Sequence, residues 1–208
     1  MAAVPEKFVL RSTLTSPFGR KVRIAVDVLG LSDRVTLEPA STLDENDTLR
    51  LQNPLGKMPC LLLADGASIY DSGVIIEFLQ AVASTDRLLS ARGLERFKTL
   101  TLARLADGIT DAAILIVYDG RFRRGQPPSE GWLTHQRGKI ARALAAFEKA
   151  PPDPGKTDIV SIGLACALGY LDWRKVVEWR QACPRLAAWL AAFAANEPAL
   201  ESTRAPDA

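Results

Sequence analysis

A small α/β domain followed by an all-helical one is the fold class that the sequence predicts, on three observations. The first 83 residues alternate short apolar runs with apolar residues at helical spacing. From Arg92 onward no convincing strand pattern occurs. Between the two lies a short stretch, Ser84 to Ala91, that reads as a linker. The expected organisation is a first domain over 1–83, a linker over 84–91 and a helical domain over 92–208 whose tail frays after about residue 200.

The elements follow in order. Lys7 to Arg11 holds Phe-Val-Leu, a strand-like run, and the polar stretch Ser12-Thr13-Leu14-Thr15-Ser16 ends it. Pro17 suits the first turn of a helix, with Ser16 as its N-cap. Val22, Ile24, Ala25, Val28 and Leu29 keep helical spacing until Gly30. Val35-Thr36-Leu37 is a second strand, and residues 39–53 are a polar loop or weak helix. Cys60-Leu61-Leu62-Leu63 turns at Ala64-Asp65-Gly66 into Ser68-Ile69-Tyr70. Asp71-Ser72 opens a helix through Leu79, capped by one of its own first residues. Beyond the linker, Leu94 to Val117 and Trp132 to Phe147 repeat apolar residues at three and four. Ile159 to Leu171 is apolar nearly all round, as a helix at the centre of a bundle would be. Cys183-Pro184 starts a last helix with Leu186, Trp189, Leu190 and Phe193 on one face. At Asp158 to Ser161 the acid comes first and the hydroxyl third, so capping by Asp158 is expected and the reciprocal bond is left open.

Composition narrows the function. Of 208 residues, 48% are hydrophobic and 24% charged, which excludes wholesale disorder. A chain this long buries roughly 70% of its unfolded surface without a disulfide or metal staple. Lys plus Arg is 26 against 24 for Asp plus Glu, a net of +2, so no nucleic-acid partner is expected. Cys60, Cys166 and Cys183 are far apart with no Cys-x-x-Cys, so neither a zinc ribbon nor a dithiol centre is expected, and no metal. Met1 to Pro5 lacks the start of a secretory signal. Ile159 to Leu171 is shorter than the about 20 residues that a bilayer requires. A cytoplasmic protein with no membrane partner is the expectation.

Four segments together resemble the cytosolic glutathione transferase family. They are Thr15-Ser16-Pro17-Phe18, Asn53-Pro54-Leu55-Gly56-Lys57-Met58-Pro59, Asp71-Ser72, and the run Ile162-Gly163-Leu164-Ala165-Cys166-Ala167-Leu168-Gly169-Tyr170-Leu171-Asp172. Each is weak alone; their order and spacing carry the resemblance, which spans roughly residues 7 to 200. Within the family the chain looks most like bacterial members with Ser-Pro-Phe at the first helix. The resemblance implies an α/β thioredoxin-like N-terminal domain followed by an all-α helical-bundle C-terminal domain. It implies glutathione as co-substrate, no metal, and a glutathione S-transferase acting in detoxification as a homodimer. The partner would be a small hydrophobic electrophile. The alternative on the same fold is a non-catalytic glutathione- or ligand-binding or scaffold protein.

The resemblance also assigns roles. Ser16, or next to it Thr15, would hold the glutathione thiol as a thiolate, since a hydroxyl donor and a helix N-terminus both favour an anion. Ser12 and Thr13 are weaker candidates. The backbone of Met58, before Pro59, would pair with the cysteinyl part of glutathione as an added strand would, leaving the Met58 side chain little to do. In the family that proline is cis. Lys57 would reach the glycyl carboxylate, although many members carry a basic or amide residue where this chain has Gly56. Asp71 and Ser72 would take the γ-glutamyl ammonium and carboxylate, with Asp where the family more often has Glu. Phe18, Leu105, Ile109 and Tyr118 would line the co-substrate pocket, and Asp107 is a further candidate for reaching glutathione. Cysteine-type members carry a cysteine near Phe18; none stands there in this chain. Arg20, His135 and the run Arg121-Phe122-Arg123-Arg124 read as solvated surface, with Arg20 the best outsider for a substrate contact.

Overall fold

A computed structural model describes residues 7–90 and 92–206. Expectations that fall on residues 1–6, 91, 207 and 208, among them the lack of a signal at Met1 to Pro5, lie outside the described residues. The chain divides into two compact units on either side of residue 91, and residues 199–206 return to the first unit.

The first unit runs β1 (Phe8–Ser12), α1 (Pro17–Val28), a 3-10 turn (Ser32–Arg34), β2 (Val35–Pro39), α2 (Leu49–Gln52), β3 (Cys60–Leu62), β4 (Ser68–Tyr70) and α3 (Ser72–Val82). The four strands form one sheet in the order β2-β1-β3-β4. β1 is parallel to β2, which the intervening α1 makes possible as a crossover, while β1–β3 and β3–β4 are antiparallel. Phe8, Leu10 and Leu61 from the strands, Val22 and Ile24 from α1, and Ile75, Ile76 and Leu79 from α3 form the buried core. The polar stretch 39–53 closes with the four-residue α2.

Helix α1 crosses β1 closely at Gly19. A Cβ there would stand 2.0 Å from Ser12 Oγ and 3.1 Å from Ser12 Cβ. Gly19→Ala is therefore expected to destabilise the protein by about 1–3 kcal/mol through overpacking. A urea melt of the variant with an unchanged midpoint would contradict this close approach.

The linker stretch is anchored. Gln80 on α3 accepts hydrogen bonds from the N–H groups of Leu88 (2.9 Å) and Leu89 (2.8 Å) and donates to the Leu89 carbonyl at 2.7 Å. Leu88 and Leu89 are both buried, so this stretch packs as part of the first unit.

The second unit contains α4 (Leu94–Phe122), α5 (Glu130–Lys149), α6 (Ile159–Arg174) and α7 (Pro184–Asn196). Helix α6 is buried on nearly every side from Ile159 to Leu171 and packs against both α4 and α7. Its all-round apolar character is the reason that it occupies the centre. The capping box at its start is complete. Asp158 Oδ1 accepts from Val160 N–H (2.9 Å) and Ser161 N–H (3.0 Å), and the Asp158 N–H donates to Ser161 Oγ at 2.8 Å. The acid-first order thus preserves both halves of the box.

A further helix, α8 (Pro198–Ser202), has no periodic signature in five residues, and the sequence reading did not place it. Thr203 beyond it is 5% exposed, where fraying was expected from about residue 200. Arg20 donates to the Leu200 carbonyl and, at 3.4 Å, to Thr203 Oγ1, while Arg23 donates to the Thr203 carbonyl at 2.9 Å. Arg20 is therefore neither a solvated side chain nor free for substrate; it holds the C-terminal segment on α1. Among the described residues, no helix is long and apolar enough to cross a membrane.

Candidate functional site

The strand register gathers the first unit's candidate residues at one end of the sheet. Arg11 near the end of β1 stands opposite Cys60 at the start of β3, and Cys60 in turn stands opposite Tyr70 at the end of β4. Ser12–Ser16 leave β1 at that end, Met58–Pro59 enter β3 there, and Asp71–Ser72 leave β4 there. Two helices, α1 and α3, also begin at this end, so two sets of unpaired backbone N–H groups and two positive dipole ends open onto it.

Ser16 is the N-cap of α1, and its Oγ accepts the Gly19 N–H at 3.0 Å. Accepting that bond leaves the hydroxyl hydrogen available for donation to an anion. Thr13 Oγ1 lies 3.1 Å from Thr15 Oγ1 and 3.5 Å from Met58 Sδ, so Thr13 touches both. Ser12 is buried beneath Gly19, which removes its hydroxyl from consideration as a donor to a ligand. Phe18 is half-buried on α1 with the Lys21 ammonium 5.7 Å from its ring.

The Met58–Pro59 bond is cis. Among the described residues, the Met58 N–H and carbonyl have no hydrogen-bond partner. The side chain is not idle, because it packs on the buried cluster of Ala40, Leu49 and Cys60. Asn53 builds the preceding loop: its Nδ2 donates to the Lys57 carbonyl (2.8 Å) and its Oδ1 accepts the Leu55 N–H (3.1 Å). Gly56 has φ +59, a conformation that suits glycine, with the Arg50 side chain close by. Lys57 is exposed.

Asp71 caps α3, its Oδ1 accepting the Gly73 N–H at 2.7 Å, and its backbone sits at φ 22. A non-glycine residue in that region is strained, and such strain gathers at functional positions. Ser72 is buried, yet its hydroxyl has no partner among the described residues.

Arg11 supports this end of the sheet, a role the sequence reading missed. It donates to Thr48 Oγ1 (2.8 Å), Gln52 Oε1 (3.0 Å), the Pro39 carbonyl (3.1 Å) and Asp47 Oδ1 (2.9 Å). A charge inside a strand run was the available signal, but its partner lies 36 residues away. Cys60 is buried, and burial pushes its thiol up, with the Ser68 hydroxyl and the Arg11 charge opposing only in part. It is an inert core residue rather than a nucleophile.

The remaining candidates belong to the second unit. Leu105 and Tyr118 on α4 are half-buried. Ile109 is 0% exposed, so it is a core side chain and offers no surface to a ligand, contrary to the expected lining role. Asp107 is buried and paired with Arg104 at 3.1 Å. His135 is exposed and stacks on Trp132. Among the described residues, no group of three or more His, Cys, Asp or Glu is placed to hold a metal ion.

Comparison with known proteins agrees with this architecture. The family model for the glutathione S-transferase N-terminal domain matches residues 15–82, and that for the C-terminal domain matches residues 130–192. The chain is 35% identical over 173 residues to the "Uncharacterized GST-like protein YibF" of Escherichia coli strain K12, covering 80% of this chain and 83% of that one. A glutathione transferase family member from Pseudomonas fluorescens Pf-5, with bound glutathione, superposes with a TM-score of 0.89 at 39% identity, over 96% of this chain and 100% of that one. A second structure from the same source, with bound S-(propanoic acid)-glutathione, gives 0.85 at 39% identity over the same shares.

Proposed function

Because this chain belongs to the glutathione S-transferase family, we propose that it binds glutathione at the end of the sheet where β1, β3 and β4 meet α1 and α3, and activates the thiol for attack on an electrophile. The observation that carries this reading is the convergence there of Ser16, the open Met58 backbone and Asp71–Ser72. The Ser72 hydroxyl and N–H take the γ-glutamyl carboxylate at the N-terminus of α3, and Asp71 takes its ammonium. The Met58 N–H and carbonyl pair with the cysteinyl backbone as an added strand, ahead of Pro59. Lys57 takes the glycyl carboxylate. The sulfur then lies at the N-terminus of α1, with the Ser16 hydroxyl donating to the thiolate and Thr15 as the nearest rival donor. Candidates for contact with the co-substrate are Phe18 in the first unit and, taken by themselves, Leu105 and Tyr118 in the second. Solved relatives holding glutathione and a glutathione bearing a propanoic acid group support the reading.

The test is a calorimetric titration of glutathione with parallel thiolate absorbance from pH 5 to 9. Saturable binding with a bound thiol well below its free value of about 8.5 supports activation. Binding without a shift points to a carrier, and no binding at millimolar glutathione overturns the proposal.

The homodimer belongs to the same proposal, supported by exposed apolar side chains on each unit. Leu51 is 87% and Leu55 70% exposed in the first unit, and Leu94, Phe97 and Leu102 are exposed on α4 in the second. Apolar side chains exposed to this degree are what a second copy of the chain would cover. Sedimentation is expected to show a species of twice 22.6 kDa that Leu51→Asp shifts toward monomer. A wild-type protein running at 22.6 kDa at all concentrations would overturn the dimer.

A further inference from the structure

The C-terminal ends of α4 and α6 carry an aromatic and arginine cluster within the second unit, of which the sequence reading assigned only the run Arg121–Arg124 to solvent and Tyr118 to the co-substrate side. On α4, the Arg121 guanidinium lies 5.1 Å from the centre of the Tyr118 ring, and Tyr118 packs edge-on against Phe122 at 5.2 Å. On α6, the Arg174 guanidinium stacks 3.8 Å from the centre of a Trp173 ring and 5.9 Å from that of Tyr170. The two helices pack against each other, and Tyr170 lies with its ring centre 6.1 Å from that of Trp173. Burial pushes the Tyr170 hydroxyl up; the charge of Arg174, a hydrogen bond with Arg174 and the charge of Arg121 pull it back only in part, and Tyr118 adds to the rise.

Neither guanidinium has a carboxylate. Asp119 on α4 is taken by Arg123 (3.5 Å) and the Ser129 N–H (3.3 Å). Asp172 on α6 is taken by Trp179 Nε1 (2.8 Å) and Arg180 (2.6 Å). Among the described residues, Arg121 and Arg174 form no ion pair. Arg174 Nε and Trp173 Nε1 are shielded from water and have no acceptor. The cluster thus holds two cations and a surplus of donors beside aromatic faces, where like charges repel more strongly than in water. Stacking on aromatic rings accounts for each arginine singly. It supplies no counter-charge for either.

We propose that this cluster binds a planar aryl carboxylate, the carboxylate engaged by Arg121 and Arg174 and the ring laid against Tyr118, Phe122 or Trp173. Guanidinium groups match a carboxylate with paired donors, and flat aromatic walls favour a flat ligand. The ligand's identity as the electrophilic co-substrate, and that alone, rests on the transferase reading; the binding does not.

The probe pair is 4-chloro-3-nitrobenzoate and its neutral amide, followed by quenching of tryptophan fluorescence without glutathione. The acid is expected to bind about ten-fold tighter than the amide, with Arg121→Gln and Arg174→Gln each removing most of that preference and Arg174→Lys keeping part of it. Equal binding of acid and amide, or a preference that survives both glutamine variants, overturns the proposal. With glutathione added, the thiolate sulfur bonds to the ring carbon that bears chlorine, the carbon–chlorine bond breaks, and chloride leaves with the bonding pair. The same preference is then expected in kcat/KM. Glutathione calorimetry on the wild type is read separately, so failure of the transferase reading shows as absent glutathione binding while the carboxylate preference persists.

Discussion

Ser16→Ala is expected to raise the pKa of the bound glutathione thiol by about one to two units and to lower kcat/KM at pH 7 by about 3- to 25-fold. The range follows from the thiolate fraction. A thiol lowered from about 8.5 to 6.5 is about three-quarters ionised at pH 7, and one returned fully to 8.5 only about 3% ionised. The N-terminus of α1 remains in the variant, so part of the lowering persists. Affinity for glutathione should change little if, as proposed, Met58, Asp71 and Ser72 hold the rest of the molecule. The same hydroxyl caps α1 through Gly19 N–H, so the variant also loses about 1 kcal/mol of stability. Ser16→Thr restores both functions and Thr15→Ala leaves both nearly intact. The decisive readout is the pH–rate profile: an acid limb that does not move in Ser16→Ala removes Ser16 from the mechanism, whatever its effect on stability.

The observed capping role of Ser16 and its proposed role at the thiolate also show what the sequence could and could not convey. Strand and helix order in the first unit was legible, because the apolar runs at Phe8–Leu10 and Cys60–Leu62 and the breaks at Pro17, Gly30 and Gly66 are local signals. Helix α6 was legible for the same reason. Helix α8 was not, since five residues are too few to show a period, and what orders them is contact with Arg20 and Arg23, 180 residues earlier. Arg20 itself read as a surface side chain because a helix face shows its charge and not its partner. The meeting of β1, β3 and β4 at one end is a property of register, fixed only when Arg11 faces Cys60 and Cys60 faces Tyr70. The run Arg121–Arg124 read as solvated because nothing local distinguishes Arg123, paired with Asp119, from Arg121, stacked on Tyr118. Ile109 shared the helical spacing of a lining residue, and only packing against the rest of the bundle decides which side of a buried helix is wet.

Arg11→Met is expected to cost about 1–3 kcal/mol, because it removes the cation of a part-buried ion pair together with its hydrogen bonds, and to lower the melting temperature by several degrees. The cost falls on Asp47, 12% exposed, which keeps its charge but loses its guanidinium partner. Burial pushes the Asp47 carboxyl up, yet the N–H groups of Leu49 and Ser41 (2.7 Å each) and the Arg11 guanidinium outweigh it, and the net direction is down. A carboxyl lowered on folding contributes stability that is complete above its unfolded value of about 3.9 and is lost as pH falls through the native value. The stability gap between the wild type and Asp47→Asn should therefore be flat from pH 8 to 5 and close below about pH 4. Replacing both partners, as Arg11→Met with Asp47→Leu, should recover much of the loss, because two apolar side chains leave no orphaned charge. Loss of the pair should also reach the site. Arg11 ties β1 to Pro39, Thr48 and Gln52, and Gln52 in turn accepts the Ser68 hydroxyl at 2.6 Å, so the segment entering Met58 and the strand leading to Asp71 share one brace. Glutathione affinity is expected to fall in Arg11→Met even at temperatures where the variant is folded. Unchanged affinity there would mean that the loop before Pro59 is held by Asn53 alone.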